Sequence, residues 1–207
     1  MTTPPAAHGQ QTFLVRSWQA MMAKLHFEID EFDQTRLTDP NSEIRSYRAL
    51  NVAWTVWHIH DWFWEWVCDA SPNTSVAVNT HLGTNLIADG QAKSRAKREI
   101  QTKFADAIAA RYPNIGRCRT IATAAKHSKA ESRPDPLLTT RGVHVLQLRA
   151  ETTLPLEPSV QFFDVRVFHD REVVDADRVF KGAASEWGQF FTAVGVGYPK
   201  IIGNVAR

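Results

Sequence analysis

The stretch from Leu50 to Cys68, LNVAWTVWHIHDWFWEWVC, holds five of the seven tryptophans of the chain. Apolar side chains cover almost the whole circumference of an α-helix with this sequence, which is typical of a central helix that packs on several sides. Polar residues interrupt the stretch too often to leave the run of about 20 apolar residues that a membrane span needs. We therefore expect a helical bundle around this segment, and no membrane partner.

Polar residues of the same stretch gather on one side of the predicted helix. They are Asn51, Thr55, His58 and Glu65, with Asp61 at the flank. His60 is predicted to point almost the opposite way. Since His58, Asp61 and Glu65 follow one another at i, i+3 and i+7, their side chains can reach one point in the bundle interior.

Three interpretations of this polar cluster stay open. It can be a buried network that gives acceptors to tryptophan N–H groups and fixes the register of the bundle. It can be catalytic through Asp61, with Asn51, His58 and Glu65 as binding residues. It can bind a metal ion through His58, Asp61 and Glu65, but the chain has no Glu-x-x-His motif of the kind that di-metal bundles use. We therefore expect no metal and no cofactor.

Helical spacing continues upstream of the aromatic stretch. Residues 1–11 contain two prolines and few apolar groups, and are predicted to be a disordered arm. Thr12 is predicted to cap a helix whose apolar residues run from Leu14 to Phe32, and Ser42 to cap the aromatic helix.

Downstream, two more helices are expected. Residues 71–92 are predicted to form an irregular connection. Helices then follow over about 93–111 and 117–130, and Pro113-Asn114 and Gly116 are predicted to break the chain between them. With the first two, these make a bundle of about four helices.

The last third of the chain has a different texture. Residues 142–153, 160–169 and 172–180 are rich in β-branched and aromatic side chains with approximate alternation, which predicts three antiparallel strands. Gly182 separates them from a last helix. The expected fold is α+β, mainly α: a helical bundle over 12–132, a three-stranded antiparallel β-meander over 141–181 and a closing helix over 182–197, all within one domain that covers 12–207.

Composition narrows the function classes only slightly. The chain has 207 residues, of which 43% are hydrophobic and 22% charged, as in ordinary globular proteins. Cys68 and Cys118 form neither a zinc-site spacing nor a disulfide framework. The beginning of the sequence lacks the basic and apolar regions of a signal peptide, so we expect a cytoplasmic protein.

Charge is distributed unevenly along the chain. Residues 28–43 carry six acidic side chains against one arginine, whereas residues 93–133 carry eleven basic side chains and three acidic ones. A positive field of this kind attracts phosphates. The alternative is that both segments are solvated faces of helices.

The predicted helix over 117–130 carries cationic, hydroxyl and imidazole side chains on one face. Arg119, Thr123, Lys126 and His127 cluster on the side opposite its alanine and isoleucine stripe. Cations and a hydroxyl can bind a phosphate, and an imidazole can move a proton near neutral pH. The alternative is an ordinary solvent-exposed face.

Two motifs carry a family resemblance. WHIHDWFW (57–64) and YPNIGRCRTIATAAKH (112–127) resemble an uncharacterised set of bacterial helical proteins, in which a helix with H-x-x-D-W precedes one ending in A-N-x-S-K-H. The likeness covers about residues 45–130 and implies no activity. The chain departs from that pattern at Thr123-Ala124-Ala125, where the set has Asn-x-Ser.

The basic helix is also distantly similar to the HEPN superfamily of ribonucleases and toxins. There an arginine and a histidine, four to six residues apart, cleave RNA without metal by using the ribose 2′-hydroxyl as nucleophile. The resemblance implies that Arg119 stabilises the phosphate and His127 is the base or acid, with Lys126 as a local substitute for the arginine. Seven residues separate Arg119 from His127, which departs from that spacing.

Three functions are therefore expected. The first is a metal-independent ribonuclease, or another RNA-acting protein, of toxin or defence type. The second is a non-enzymatic helical interaction module, either a homo-oligomer or a subunit that binds a protein partner. The third is a bundle metalloenzyme. Whether the polar cluster of the aromatic helix and the basic helix meet in space decides whether they form one site.

Overall fold

The computed structural model describes residues 15–38, 44–70, 72–85, 94–126, 138–147, 160–169 and 172–197. The helices are α1 (Trp18–Thr38), α2 (Ile44–Cys68), α3 (Pro72–Leu82), α4 (Ser94–Arg111), α5 (Pro113–Lys126) and α6 (Ala176–Ala193). The strands are β1 (Leu138–Gln147), β2 (Val160–His169) and β3 (Glu172–Asp175).

Helix α2 lies at the centre of the bundle, as the aromatic stretch predicts. It contacts the other five helices and strand β2. Val52, Val56, Ile59 and Phe63 on its inner side are completely buried. Helix α6 supplies the opposite half of this core, and its Trp187 indole N–H donates to the Val56 carbonyl at 3.0 Å. A buried aromatic core therefore fixes which side of α2 is left for polar residues.

The sheet is antiparallel in the order β1-β2-β3. Two ten-residue strands pair along their length, from Leu138 opposite His169 to Gln147 opposite Val160. The four residues of β3 pair with the end of β2. Val165 and Val167 of β2 are buried, because one face of this strand packs on the helices. The α+β, mainly α class is confirmed.

The expected boundary between β3 and the closing helix is wrong. The strand was expected to reach residue 180 and the helix to begin after Gly182, but α6 already begins at Ala176. Ala176, Val179, Phe180 and Ala183 are buried at helical spacing, so packing of this stripe overrides the β-propensity of the segment. Likewise, β1 begins at Leu138 instead of residue 142, and residues 148–153 lie outside the described part of the chain.

Two further boundaries differ from the expectations. Residues 72–82 are helix α3 and not an irregular connection, with Pro72 at the first helical position, where a missing N–H costs nothing. For the same reason Pro113 begins α5 instead of ending a helix. Gly116 continues that helix, and a Cβ atom added there would lie 2.8 Å from the Ala109 carbonyl oxygen. Glycine is required because α4 and α5 approach closely.

Helix α1 begins later than expected. Ser17 caps it, since its hydroxyl oxygen accepts from the Ala20 N–H at 3.2 Å. The arm predicted over 1–11, the cap at Thr12 and the cap at Ser42 lie outside the described residues.

Candidate acid–base site on the central helix

The polar side of α2 faces outward, so the expected interior cluster is wrong. Asn51, His58 and Glu65 are exposed, and only Thr55 among the side's four main members is buried. The reason is competition for the core: the apolar residues of α2 face α6, and α1 and α5 flank the helix. The Trp54 N–H group donates to a backbone carbonyl instead, that of Ala122 at 3.2 Å.

Asp61 is the centre of the hydrogen bonding on this face. Its Oδ2 atom accepts from His58 Nδ1 at 2.8 Å. Its Oδ1 atom accepts from His60 Nε2 at 3.0 Å and from the Gln101 side-chain amide of α4 at 2.9 Å. Both carboxylate oxygens are thus engaged by donors, which is the arrangement that holds a carboxylate ionised.

His60 belongs to the cluster, contrary to the expectation that it points away. Its ring is buried and stacks on Trp57 with the ring centroids 4.1 Å apart. One ring nitrogen faces the Trp57 carbonyl and the other faces Asp61. Since both partners only accept, an imidazolium is the form that satisfies both bonds. The predicted direction of His60 is therefore wrong, since its Nε2 atom lies 3.0 Å from Asp61 Oδ1.

The electrostatics of Asp61 follow from these contacts. Burial alone would raise the pKa of the carboxyl group, but hydrogen bonds from His58 and His60 and the charges of both rings outweigh it. The net effect holds the pKa of Asp61 well below its usual range. Asp61 is therefore a fixed negative charge at all pH values near neutrality.

This charge determines the tautomer of His58. An ionised carboxylate accepts only, so His58 carries its proton on Nδ1 when the ring is neutral. Nε2 then holds a lone pair, and it has no hydrogen-bond partner among the described residues. The His58 side chain is 51% exposed. An imidazole oriented by a carboxylate and open to solvent at Nε2 is the arrangement that general bases use.

A shallow depression of about 160 Å³ lies beside His58, between α1 and α2. It is lined by one cation, one carboxylate and a mixture of amide, hydroxyl and apolar groups: Met21, Lys24, Glu28, Asn51, Trp54, Thr55 and His58. The Lys24 ammonium group bridges Glu28 Oε1 and the Thr55 hydroxyl across the two helices. A ligand in this depression would lie next to the hydrogen-bonded pair of His58 and Asp61, called the dyad below. The depression and the dyad therefore form one candidate site.

Arg119 of α5 joins the same face from the other side. Its guanidinium group lies over the Trp57 ring, 4.9 Å from the centroid, and pairs with Asp106 of α4. Trp57 in turn stacks on His60. Of the predicted basic cluster, Arg119 therefore reaches the polar face of α2 through Trp57, although its side chain is only 22% exposed and its charge is already neutralised by Asp106.

The other members of the basic helix are placed only in part. Thr123 is half-buried on α5. Lys126 is the last residue of that helix, and its side chain lies outside the described part of the chain, as does the whole of His127. Their predicted roles in phosphate binding and proton transfer stay predictions.

No group of three or more histidine, cysteine, aspartate or glutamate side chains is arranged to hold a metal ion in the part of the chain that the structure describes. Within the same residues, no helix is both long and apolar enough to cross a membrane. His58, Asp61 and Glu65 all belong to the described residues and do not form such a group, and Glu65 is exposed.

Several residues of the site carried no usable signal in the sequence. Gln101 and Asp106 come from α4, and Lys24 and Glu28 come from α1, each on a helix whose pairing with α2 a single sequence does not specify. Their i, i+4 or i, i+5 spacing matches ordinary surface residues of a helix. His58 and Asp61, like Asn51 and Thr55, were detectable because they lie close together on one helix face.

Comparisons with models of protein families, with curated proteins and with solved structures found no match to this chain. The resemblances of the two motifs therefore stay predictions, and the argument for function rests on the site.

Proposed function

We propose that this protein cleaves RNA without a metal ion, with His58 as the base and Asp61 as the residue that orients it. The observation that carries the proposal is the 2.8 Å bond from His58 Nδ1 to Asp61, which leaves Nε2 free beside the depression. Proton transfer by a positioned side chain contributes about 10²- to 10⁴-fold to a reaction rate.

The reaction needs only groups that the chain and RNA supply. His58 Nε2 takes the proton of a ribose 2′-hydroxyl, the 2′-oxygen bonds to phosphorus, and the bond from phosphorus to the 5′-oxygen breaks. Water gives a proton to the leaving 5′-oxygen, so the products are a 2′,3′-cyclic phosphate and a 5′-hydroxyl. Lys24, in the same depression, would place an ammonium group near the phosphate.

Two features support RNA as the substrate class. Tyr47 and Trp54 lie on the outer face of α2 that also carries His58, and they are 63% and 42% exposed. Exposed aromatic rings are the stacking platforms of single-stranded nucleic acid binding. The basic segment over 93–133 has a charge of the correct sign, and its helices α4 and α5 both contact α2.

The test is cleavage of a single-stranded RNA oligonucleotide in excess EDTA by the wild type and by His58→Ala. We expect a loss of about 100-fold or more in the variant. His26→Ala is the matched control, because His26 is a half-buried histidine of α1 that does not line the depression. Circular dichroism of each variant checks that it folds.

Three results would contradict the assignment. Cleavage that depends on added metal would exclude the mechanism, and unchanged cleavage by His58→Ala would exclude His58 as the base. A loss of cleavage in His127→Ala, with none in His58→Ala, would assign the role of the base to His127 instead.

A non-enzymatic interaction module is the second candidate, favoured by a different observation. Large apolar side chains stay exposed on the outer faces of α1 and α2, including Phe27 at 62% and Ile44 at 44%. Such residues are typical of surfaces that bind another protein when they form a patch. This function predicts a defined oligomer or complex whose mass, measured by light scattering, changes with ionic strength, together with no RNA cleavage.

A further inference from the structure

We propose that the depression between α1 and α2 holds one unpaired nucleobase, stacked on Trp54 and recognised at its edge by Glu28, with guanine preferred. This inference rests on the proposed function, since it names the part of RNA that the site reads. It also concerns binding alone, so it can be tested separately from cleavage.

The depression has the dimensions and the walls for such a ligand. Its volume of about 160 Å³ suits a single planar base more than an extended chain. Trp54 is 42% exposed, while its indole N–H is anchored to the Ala122 carbonyl at 3.2 Å, so the ring is held in place but keeps an open surface. Stacking on an aromatic side chain contributes about 1–3 kcal/mol per base in single-stranded complexes.

Glu28 is the residue that makes the depression favour ligands with hydrogen-bond donors. Its Oε1 atom accepts from Lys24, but its Oε2 atom is buried and has no hydrogen-bond partner among the described residues. An unsatisfied buried acceptor is costly, and this one belongs to a side chain that lines the depression. When the carboxylate turns toward the depression, a ligand that brings an N–H donor to Oε2 would remove that cost.

The chemistry of a carboxylate determines which bases fit. An ionised carboxylate oxygen only accepts, so it favours a base edge that presents donors. Guanine presents two adjacent donors, the ring N1–H and the exocyclic amino group, whereas the Watson–Crick edges of the other bases present a single donor group. Asn51, which also lines the depression and is exposed, can donate to the guanine O6 atom through its carboxamide.

The depression lies next to the dyad, so a nucleobase bound there would be close to the catalytic group. His58 is itself one of the lining residues, and its ring centroid lies 6.3 Å from that of Trp54. A base stacked on Trp54 would therefore place its own ribose close to His58 Nε2. The inference predicts cleavage on the 3′ side of guanosine.

The test uses uncleavable DNA trinucleotides, so that binding is measured without reaction. Titration calorimetry with d(TGT), d(TAT), d(TCT) and d(TTT) should give the tightest binding for d(TGT), by about tenfold. Trp54→Ala should weaken binding of all four by at least about fivefold, the lower end of the contribution of a stacked base. Glu28→Gln should remove the preference for d(TGT) while binding of the others is kept.

Controls separate this inference from the proposed function. Phe27→Ala changes an exposed aromatic residue of α1 that does not line the depression, and it should bind all four trinucleotides like the wild type. Asp61→Asn changes a residue that does not line the depression, so it should keep the preference for d(TGT) although it loses cleavage. Deoxyguanosine monophosphate, tested alongside, shows whether a free nucleotide suffices or a strand is needed.

Equal affinity for the four trinucleotides, or a preference that Glu28→Gln leaves unchanged, would overturn the inference. Cleavage that persists in that case would leave the proposed function intact. Conversely, if the protein binds d(TGT) selectively but cleaves no RNA, the proposed function is contradicted, whereas the inferred guanine-binding site is supported.

Discussion

Two carboxylates of this protein accept three hydrogen bonds each, and their partners give them opposite roles. Glu186 of α6 accepts from the Asn114 N–H, the Asn114 side-chain amide and the Ile115 N–H, at 3.2, 2.7 and 3.0 Å. Asp61 accepts from two imidazoles and an amide. Amide N–H groups do not titrate near neutral pH, whereas imidazoles do. The Glu186 carboxylate therefore holds the first turn of α5 in place, and the Asp61 carboxylate can support proton transfer.

Exposure separates the two sites further. Glu186 is 8% exposed and lies over the first turn of α5, where a negative charge satisfies N–H groups that have no partner within the helix. Asp61 keeps 39% of its side chain exposed, and its partner His58 more. We therefore expect substitutions at Glu186 to act on folding and substitutions at Asp61 to act on chemistry.

The largest effect is expected from Glu186→Ala. The change leaves the buried Ile115 N–H and the partly buried donors of Asn114 without an acceptor, which should lower the free energy of unfolding by about 2–4 kcal/mol. Urea denaturation measures it. Glu172→Ala is the control, since Glu172 pairs with Arg117 at the surface and should change stability by less than about 0.5 kcal/mol. A loss of unfolding free energy in Glu186→Ala as small as that in Glu172→Ala would contradict the structural role of Glu186.

Gly182→Ala should lower stability by about 1 kcal/mol, although alanine is the better helix former. A Cβ atom there would lie 2.5 Å from Asn114 Nδ2, which Glu186 holds in place. In the Glu186→Ala background Asn114 loses these bonds and keeps only the one from Arg117, so its amide can shift and the cost of the same change should become smaller. A double-mutant cycle measured in urea tests this coupling. Additive effects would show that Glu186 does not fix Asn114.

Asp61→Asn should change the free energy of unfolding at pH 7 by less than about 1 kcal/mol, because the group is partly exposed. The sign of its pH dependence is fixed: the pKa of Asp61 is lowered in the folded state from 3.8, so its contribution is present above about pH 4 and is lost as the pH falls further. The difference in stability between the wild type and Asp61→Asn should therefore shrink only below pH 4. A difference that shrinks between pH 7 and pH 5 would contradict this.

The smallest effect concerns the two thiols. Burial, together with the charge of Glu186, raises the pKa of Cys118, whereas Cys68 is partly exposed. A thiol reagent at pH 8 should label Cys68 in the native protein and Cys118 only on unfolding. Glu186→Ala should speed the labelling of Cys118 and leave that of Cys68 unchanged. Equal acceleration at both cysteines would indicate global unfolding instead of a local role for Glu186.

How much the sequence could predict differs between the same two sites. The aromatic density of 50–68 correctly predicts the central helix, and the alternation over 160–169 predicts β2 to the residue. His58 and Asp61 were recognisable because they share one face of one helix. Nothing marked Glu186, since its partners are two backbone N–H groups and one side-chain amide of a helix 71 or more residues away along the chain.

The errors have a physical pattern as well. The polar face of α2 was expected inside because the helix is apolar nearly all round, but α6 supplies enough aromatic surface to take the opposite side. The sequence predicts breaks at Pro113 and Gly182 and an irregular connection over 71–92, yet Pro72 and Pro113 begin helices and Gly182 lies inside a helix at a close contact. Proline and glycine have these alternative uses, and tertiary packing decides between them.

The account is tested most directly by RNA cleavage in excess EDTA with Asp61→Asn and Glu186→Gln compared at equal amounts of folded protein. An asparagine amide can donate to His58 Nδ1 and so move the ring proton to Nε2, which would remove the base. We expect Asp61→Asn to lose about 100-fold in rate and Glu186→Gln to cleave like the wild type. Full activity in Asp61→Asn would contradict the account.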